Sequence, residues 1–112
     1  MVFHYDEAGI TQRFMTELLM LCKKNESIES IMLFGSRARG DYRNTSDIDL
    51  ALFTNHLSHS EQNLIEADLQ NLPTPLKIDV LFMNRLAKEK LLVNIRNEGV
   101  VLYEKGKTPR EA

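Results

Sequence analysis

Ser30-Ile31-Met32-Leu33-Phe34-Gly35-Ser36-Arg37-Ala38-Arg39-Gly40, followed by Ser46-Asp47-Ile48-Asp49-Leu50, is the stretch on which the reading of this chain turns. Ten residues separate Ser36 from Asp47, and the second segment is an Asp-x-Asp. The apolar run that ends at Phe34 reads as a buried strand. The order is therefore strand, glycine-flanked turn, loop and second strand, with two carboxylates on the second strand.

Side chains alternate along a strand, so Asp47 and Asp49 are expected on one face and Ile48, Leu50 and Leu52 on the other. Residues two apart on a strand are roughly 7 Å apart at the backbone, from which carboxylates can lean together over a hard divalent cation. Mg²⁺ takes oxygen ligands and is usually held by one or two carboxylates plus substrate phosphates. Gly35 and Ser36 offer close backbone approach, N–H groups and a hydroxyl where phosphates could sit. Arg37 and Arg39 add charge suited to a triphosphate. Ser36 to Arg39 suits a short helical turn closed by Gly40, whose positive end would favour the same anion. A Gly-Ser turn is common, and Asp-x-Asp alone fits many solvated strand ends. The two at this spacing, with acids alternating among apolar residues, form a much rarer combination that points to chemistry.

Composition bounds the alternatives. At 112 residues the chain suggests one domain, 1–112, with its core over about 10–103 and a polar tail over 104–112. Hydrophobic content of 43% and charged content of 27% are those of an ordinary water-soluble protein. A net charge of −2 lacks the basic surplus of a general nucleic-acid binder. The single cysteine, Cys22, rules out an internal disulfide framework and fits a reducing compartment. No apolar run approaches the ~20 residues of a membrane span, and the N-terminal residues do not resemble a signal peptide. The expected location is the cytoplasm.

Along the chain, Ile10, Phe14, Leu18 and Leu21 or Cys22 recur at helical spacing, so a helix is expected from Ile10 to about Lys24 with Cys22 buried and inert. Ile28 to Phe34 is the first strand. The loop 41–45 is polar, and its Arg43 reads as solvated. Asp47 to Phe53 is the second strand. Ser58-His59-Ser60-Glu61 matches a capping box before a helix that Pro73 and Pro75 stop. His56 and His59 lack a third ligand at sensible spacing and read as surface residues. Lys77 to Met83 is a third strand in which Asp79 is the lone acid among apolar residues. Burying it is costly unless it is paired or metal-bound, which marks it as a site residue. Asn84 is a cap for a helix from about Arg85 to Asn97, ended by Gly99, and 100–103 is a last short strand. Helices interleaved with about four strands give an α/β (α+β) domain: a small mixed sheet with helices packed on one side.

The Gly-Ser turn, the Asp-x-Asp after ten residues and the later acid in Lys77-Ile78-Asp79-Val80 together resemble the DNA polymerase beta-like nucleotidyltransferase superfamily, and most of all its minimal nucleotidyltransferases. The resemblance spans roughly Ser27 to Tyr103 and implies the polymerase beta-like palm. It implies that Asp47, Asp49 and Asp79 are catalytic and bind Mg²⁺, two ions in all. It also implies that Gly35 and Ser36, with Arg37 and Arg39 nearby, bind the phosphates of ATP. Minimal members are typically paired with a small all-helical partner of the HEPN class, a ribonuclease toxin whose tyrosine receives AMP. The resemblance therefore implies a protein adenylyltransferase antitoxin. Two other readings stay open: transfer to a small molecule or RNA end with a partner subunit, and a non-catalytic nucleotide-binding module that neutralises its partner by contact.

Overall fold

Alternation along the strands decides the layering. A computed structural model of the chain describes residues 5–83 and 89–106. After a 3-10 turn at Tyr5–Ala8, the elements are α1 (Gln12–Lys24), β1 (Ile28–Phe34), α2 (Ser36–Arg39), β2 (Ile48–Thr54), α3 (His59–Gln70), β3 (Ile78–Phe82), α4 (Glu89–Glu98) and β4 (Val100–Glu104). The sheet order is β3-β2-β1-β4. β1 is antiparallel to β2 and to β4, while β2 and β3 are parallel. Parallel neighbours need a crossover, and α3 provides it. This is the four-stranded mixed sheet the sequence led us to expect.

On one face, Ile31 and Leu33 of β1, Ile48, Leu50 and Leu52 of β2 and Ile78 of β3 pack in one core with Phe14, Leu18 and Leu21 of α1 and Ile65 and Leu69 of α3. On the other face, Ala51, Met83 and Ile95 form a second core with Met32, Phe34, Phe53, Leu81, Leu91 and Leu92. Here the structure departs from the expected one-sided packing: α4 covers the second face. The reason lies in the strands themselves. Beyond Asp49 and Asp79, the residues that share their face (Ala51, Phe53 and Leu81) are also apolar, the composition of strands covered on both sides. α4 packs over these later positions and leaves the acids at the start of β2 and β3 uncovered.

The element ends follow local chemistry. α1 begins at Gln12, two residues later than expected, because Thr11 is the cap: its Oγ1 accepts from the Phe14 amide at 3.1 Å. The capping box at Ser58 and Glu61 is complete, with both reciprocal bonds at 3.1 Å. β2 starts at Ile48, so Asp47 is the residue before the strand and not its first member. The expected cap at Asn84 and helix start at Arg85 lie outside the described residues; α4 closes where the Gly99 amide donates to Ile95 O at 2.7 Å. β4 includes Glu104, and the Lys105 amide donates to Glu29 O at 2.8 Å, so the sheet runs into the segment read as tail. Residues 107–112 of that tail lie outside the described residues.

Cys22 is 1% exposed on the inner side of α1, and burial pushes its thiol up to about 12. The thiolate is the nucleophile, so Cys22 should be inert in the native protein. With DTNB, no fast thiol is expected before denaturation and one after it. Rapid stoichiometric reaction of the folded protein would show that α1 does not seal this core.

Candidate active site

Two strand registers assemble the site. In the β2–β3 pair Asp49 lies directly beside Asp79, and in the β1–β2 pair it lies opposite Phe34, the residue before Gly35. The parallel register is anchored just upstream, where the Ile48 amide donates to Lys77 O at 2.9 Å. Gln70 Nε2 donates to Ile78 O at 2.8 Å and ties the end of α3 to the start of β3. Carboxylates from two strands and the turn after a third therefore meet at one end of the sheet.

The electrostatics record this meeting. Burial, then the negative charges of Asp79 and Asp47 and a carboxyl–carboxyl hydrogen bond with Asp79, raise Asp49 from 3.8 to about 6, while Arg39 opposes the shift. Lys77 Nζ stands 3.5 Å from Asp79 Oδ1, an exposed pair of small energetic weight. Like charges held together without a strong internal counterion are a cost the fold bears. Carboxylates crowded in this way are relieved by a cation.

Gly35 is shaped by the same arrangement. Its φ is +76°, a region L side chains rarely adopt, and a Cβ there would run into Asp49 Oδ2. The turn after β1 thus lies directly against the central carboxylate. α2 begins at Ser36, and its first bonded amide is that of Ala38, which donates to Gly35 O at 3.2 Å. With only four residues, α2 offers the leading amides of one turn rather than a sizeable macrodipole.

The two arginines separate. Arg39 is exposed, pairs with Asp41 at 3.3 Å and acts electrostatically on Asp49, a position suited to an incoming anion. Arg37 is 3% exposed and turned the other way, under the loop. Its Nε donates to Ser46 O (3.1 Å), one terminal nitrogen to Ala8 O (2.9 Å), and the other to Arg43 O (3.3 Å) and Asn44 O (3.2 Å). The expected phosphate contact of Arg37 does not fit this placement, because its donors are committed to backbone carbonyls. Positions i and i+2 of a helix do not share a side, a signal already present in the order Arg37-Ala38-Arg39. Tyr42, which the sequence reading passed over, lies under the Arg37 guanidinium at 4.6 Å, and its hydroxyl donates to Glu7 O at 2.8 Å.

The donor set fits a hard divalent cation. Among the described residues no three histidine, cysteine or carboxylate side chains form a ready-made metal cage. Asp49 and Asp79 are nonetheless in contact, with Asp47 close enough to raise Asp49. A site with two protein carboxylates in contact and a third nearby is the kind Mg²⁺ uses when substrate phosphates and water complete its shell.

Known proteins share this fold. Residues 16–108 match the family described as polymerase beta, nucleotidyltransferase. A chain of a toxin–antitoxin crystal structure with AMP-PNP is similar at a TM-score of 0.65 and 21% identity, over 82% of this chain and 74% of that one. A chain of the toxin–antitoxin MntA-HepT is similar at 0.61 and 20% identity, over 85% and 74%. A tri-AMPylated Shewanella oneidensis HEPN toxin in complex with MNT antitoxin supplies another, at 0.57 and 21% identity, over 86% and 74%. No curated protein matches by sequence. Likeness at these identities establishes the fold, and the family match extends over most of the chain, including both acid-bearing strands and the Gly35 turn. This chain belongs to the polymerase beta nucleotidyltransferase family.

Proposed function

We propose that this chain is a protein adenylyltransferase that acts as an antitoxin, moving AMP from ATP to a tyrosine of a small all-helical HEPN-class toxin. The observation that carries the reading is the Asp49–Asp79 contact beside the Gly35 turn, in a chain of nucleotidyltransferase family. The partner and the nucleotide are supported by the neighbours: one is a toxin–antitoxin pair with AMP-PNP, another an AMPylated HEPN toxin with its MNT antitoxin.

In this reading Asp47, Asp49 and Asp79 would hold Mg²⁺, which would supply charge neutralisation for the phosphates and the attacking oxygen. The Gly35 and Ser36 turn holds the β- and γ-phosphates, and Arg39 faces them with a charge that Asp41 engages only weakly at the surface. The tyrosine oxygen forms a bond to the α-phosphorus as the bond to the β-phosphate oxygen breaks, and pyrophosphate leaves. The phenolic proton passes to Asp79, which is open to solvent on one side and positioned beside Asp49.

The test is the intact mass of the helical partner after co-expression with this chain, wild type against Asp47→Ala. An added AMP that disappears with Asp47→Ala is the expected result. An unmodified partner that still binds and is still silenced would overturn transfer in favour of neutralisation by contact. Transfer to an RNA end or a small hydroxyl compound would keep the enzyme and change the acceptor.

A further inference from the structure

We propose that Arg37 is a positioning residue for nucleotidyl transfer: it holds the loop between the phosphate turn and Asp47 at a set length and path. This rests on the transfer reading above.

Arg37 is buried at 3% exposure, yet no carboxylate pairs with it among the described residues. A buried cation without a counterion is costly, and a neutral side chain would close an ordinary core more cheaply. What the charge obtains instead is four carbonyls. Three of them, Arg43, Asn44 and Ser46, lie within the four residues that lead up to Asp47. The planar guanidinium has donors in a fixed fork, so it sets the relative positions of these carbonyls as a lysine ammonium cannot. Tyr42 lies against its face.

The consequence falls on Asp47. The Ser46 carbonyl and the Asp47 amide belong to one planar peptide unit. Arg37 Nε holds that carbonyl at 3.1 Å, and on the other side of Asp47 the Ile48 amide is tied to Lys77 O at 2.9 Å. Asp47 lies outside the strand, so its aim depends on these two ties and not on the ladder of the sheet. Loop bonds reinforce the first tie: the Ser46 amide donates to Arg43 O at 2.9 Å, and the Arg43 amide donates to Ser46 Oγ at 2.8 Å. Arg37 itself follows Ser36 directly, so one side chain couples the turn that would hold phosphate to the acid that would hold metal. The ten-residue spacing is then the length of chain that wraps this guanidinium. The fourth carbonyl, Ala8, brings the 3-10 turn before α1 into the same assembly.

The experiment compares Arg37→Lys and Arg37→Gln with wild type. Its readouts are thermal stability, hydrogen exchange of segment 41–47, ATP binding, and the separate kcat and KM of partner modification. The expected result for Arg37→Lys is a folded protein with faster exchange confined to segment 41–47 and its bonded neighbours. ATP affinity and KM should stay within about threefold, while kcat falls about 100-fold, the scale expected of a catalytic group displaced by about 1 Å. Arg37→Gln should be slower again. Unchanged kcat, or a loss confined to KM and ATP affinity, would overturn the proposal, the second by making Arg37 a phosphate ligand after all. A loss of kcat with unchanged exchange in 41–47 would also overturn it. If Arg37→Lys does not fold, Tyr42→Leu, which removes the ring beneath the guanidinium, carries the same test with a smaller expected loss of about 10-fold in kcat. Should wild type modify no acceptor, the transfer reading fails by itself, while the exchange data still decide whether Arg37 holds the loop.

Discussion

Asp49→Asn is expected to cut nucleotidyl transfer severely and, in metal-free protein near neutral pH, to make the fold more stable. Both effects come from one contact. Asp49 has Asp79 beside it in register and Asp47 nearby, and burial and repulsion raise its carboxyl from 3.8 to about 6. An acid whose folded value is raised is protonated in both folded and unfolded chains below about pH 4, so it costs nothing there. As pH rises from 4 to 6 the unfolded chain loses its proton first and stability falls; above 6 the full penalty applies. After discounting for its partial exposure, the penalty is about 1–2 kcal/mol, several degrees of Tm in a domain of this size. Asparagine keeps the shape and can still hydrogen-bond Asp79 but carries no charge. The variant should therefore melt higher at pH 7 to 8 and level with wild type near pH 4. Its transfer rate should drop by about 1,000-fold or more, about 4 kcal/mol of transition-state stabilisation. Melting curves across pH, with and without Mg²⁺, and the partner's mass check the two halves separately. A variant that melts lower than wild type at pH 8, or retains a tenth of the activity, would show that Asp49 is neither crowded nor needed.

Gly35→Ala should lose activity far out of proportion to its loss of stability. At φ +76° and ψ −158° the Gly35 backbone lies in a region essentially reserved for glycine, which costs an alanine about 1–3 kcal/mol. The added methyl meets Asp49 Oδ2, the free end of a side chain that can swing aside, so the fold survives. The atom that must move is nevertheless one that the proposed chemistry needs in place, and transfer is expected to fall by about 100-fold. Gly40→Ala is the matched comparison. Its φ of +93° and ψ of 1° are left-handed helical, at a milder cost of about 1–2 kcal/mol, and a Cβ there meets nothing within 4 Å. Gly35→Ala should lose somewhat more stability than Gly40→Ala, measured by denaturant unfolding, and far more transfer rate. Equal activities would mean that the Gly35 turn is not part of the site.

Strand periodicity singles out Asp49 and Asp79 without knowledge of the fold, each an acid among apolar neighbours; Asp47 was expected on the same strand face as Asp49, but β2 begins only at Ile48. The Gly35 turn stands out for a similar reason, since a glycine after a buried strand has few structural explanations. The two arginines were less legible. Arg37 and Arg39 look alike in sequence, and their opposite orientations on one helical turn separate them without saying which side meets the site.

By itself, the sequence determined the elements, their order, the face that Asp49 and Asp79 take and the family to which the motif belongs. These depend on local propensity and on periods of two and 3.6, which neighbouring residues settle among themselves. Only the tertiary structure decided that Asp49 stands beside Asp79, that α4 closes the second face beyond them, and that Arg37 turns under the loop to hold its carbonyls. Those outcomes depend on strand register and on carbonyls distant in sequence. Ala8 lies twenty-nine residues from the guanidinium it binds, and no local pattern encodes that partner.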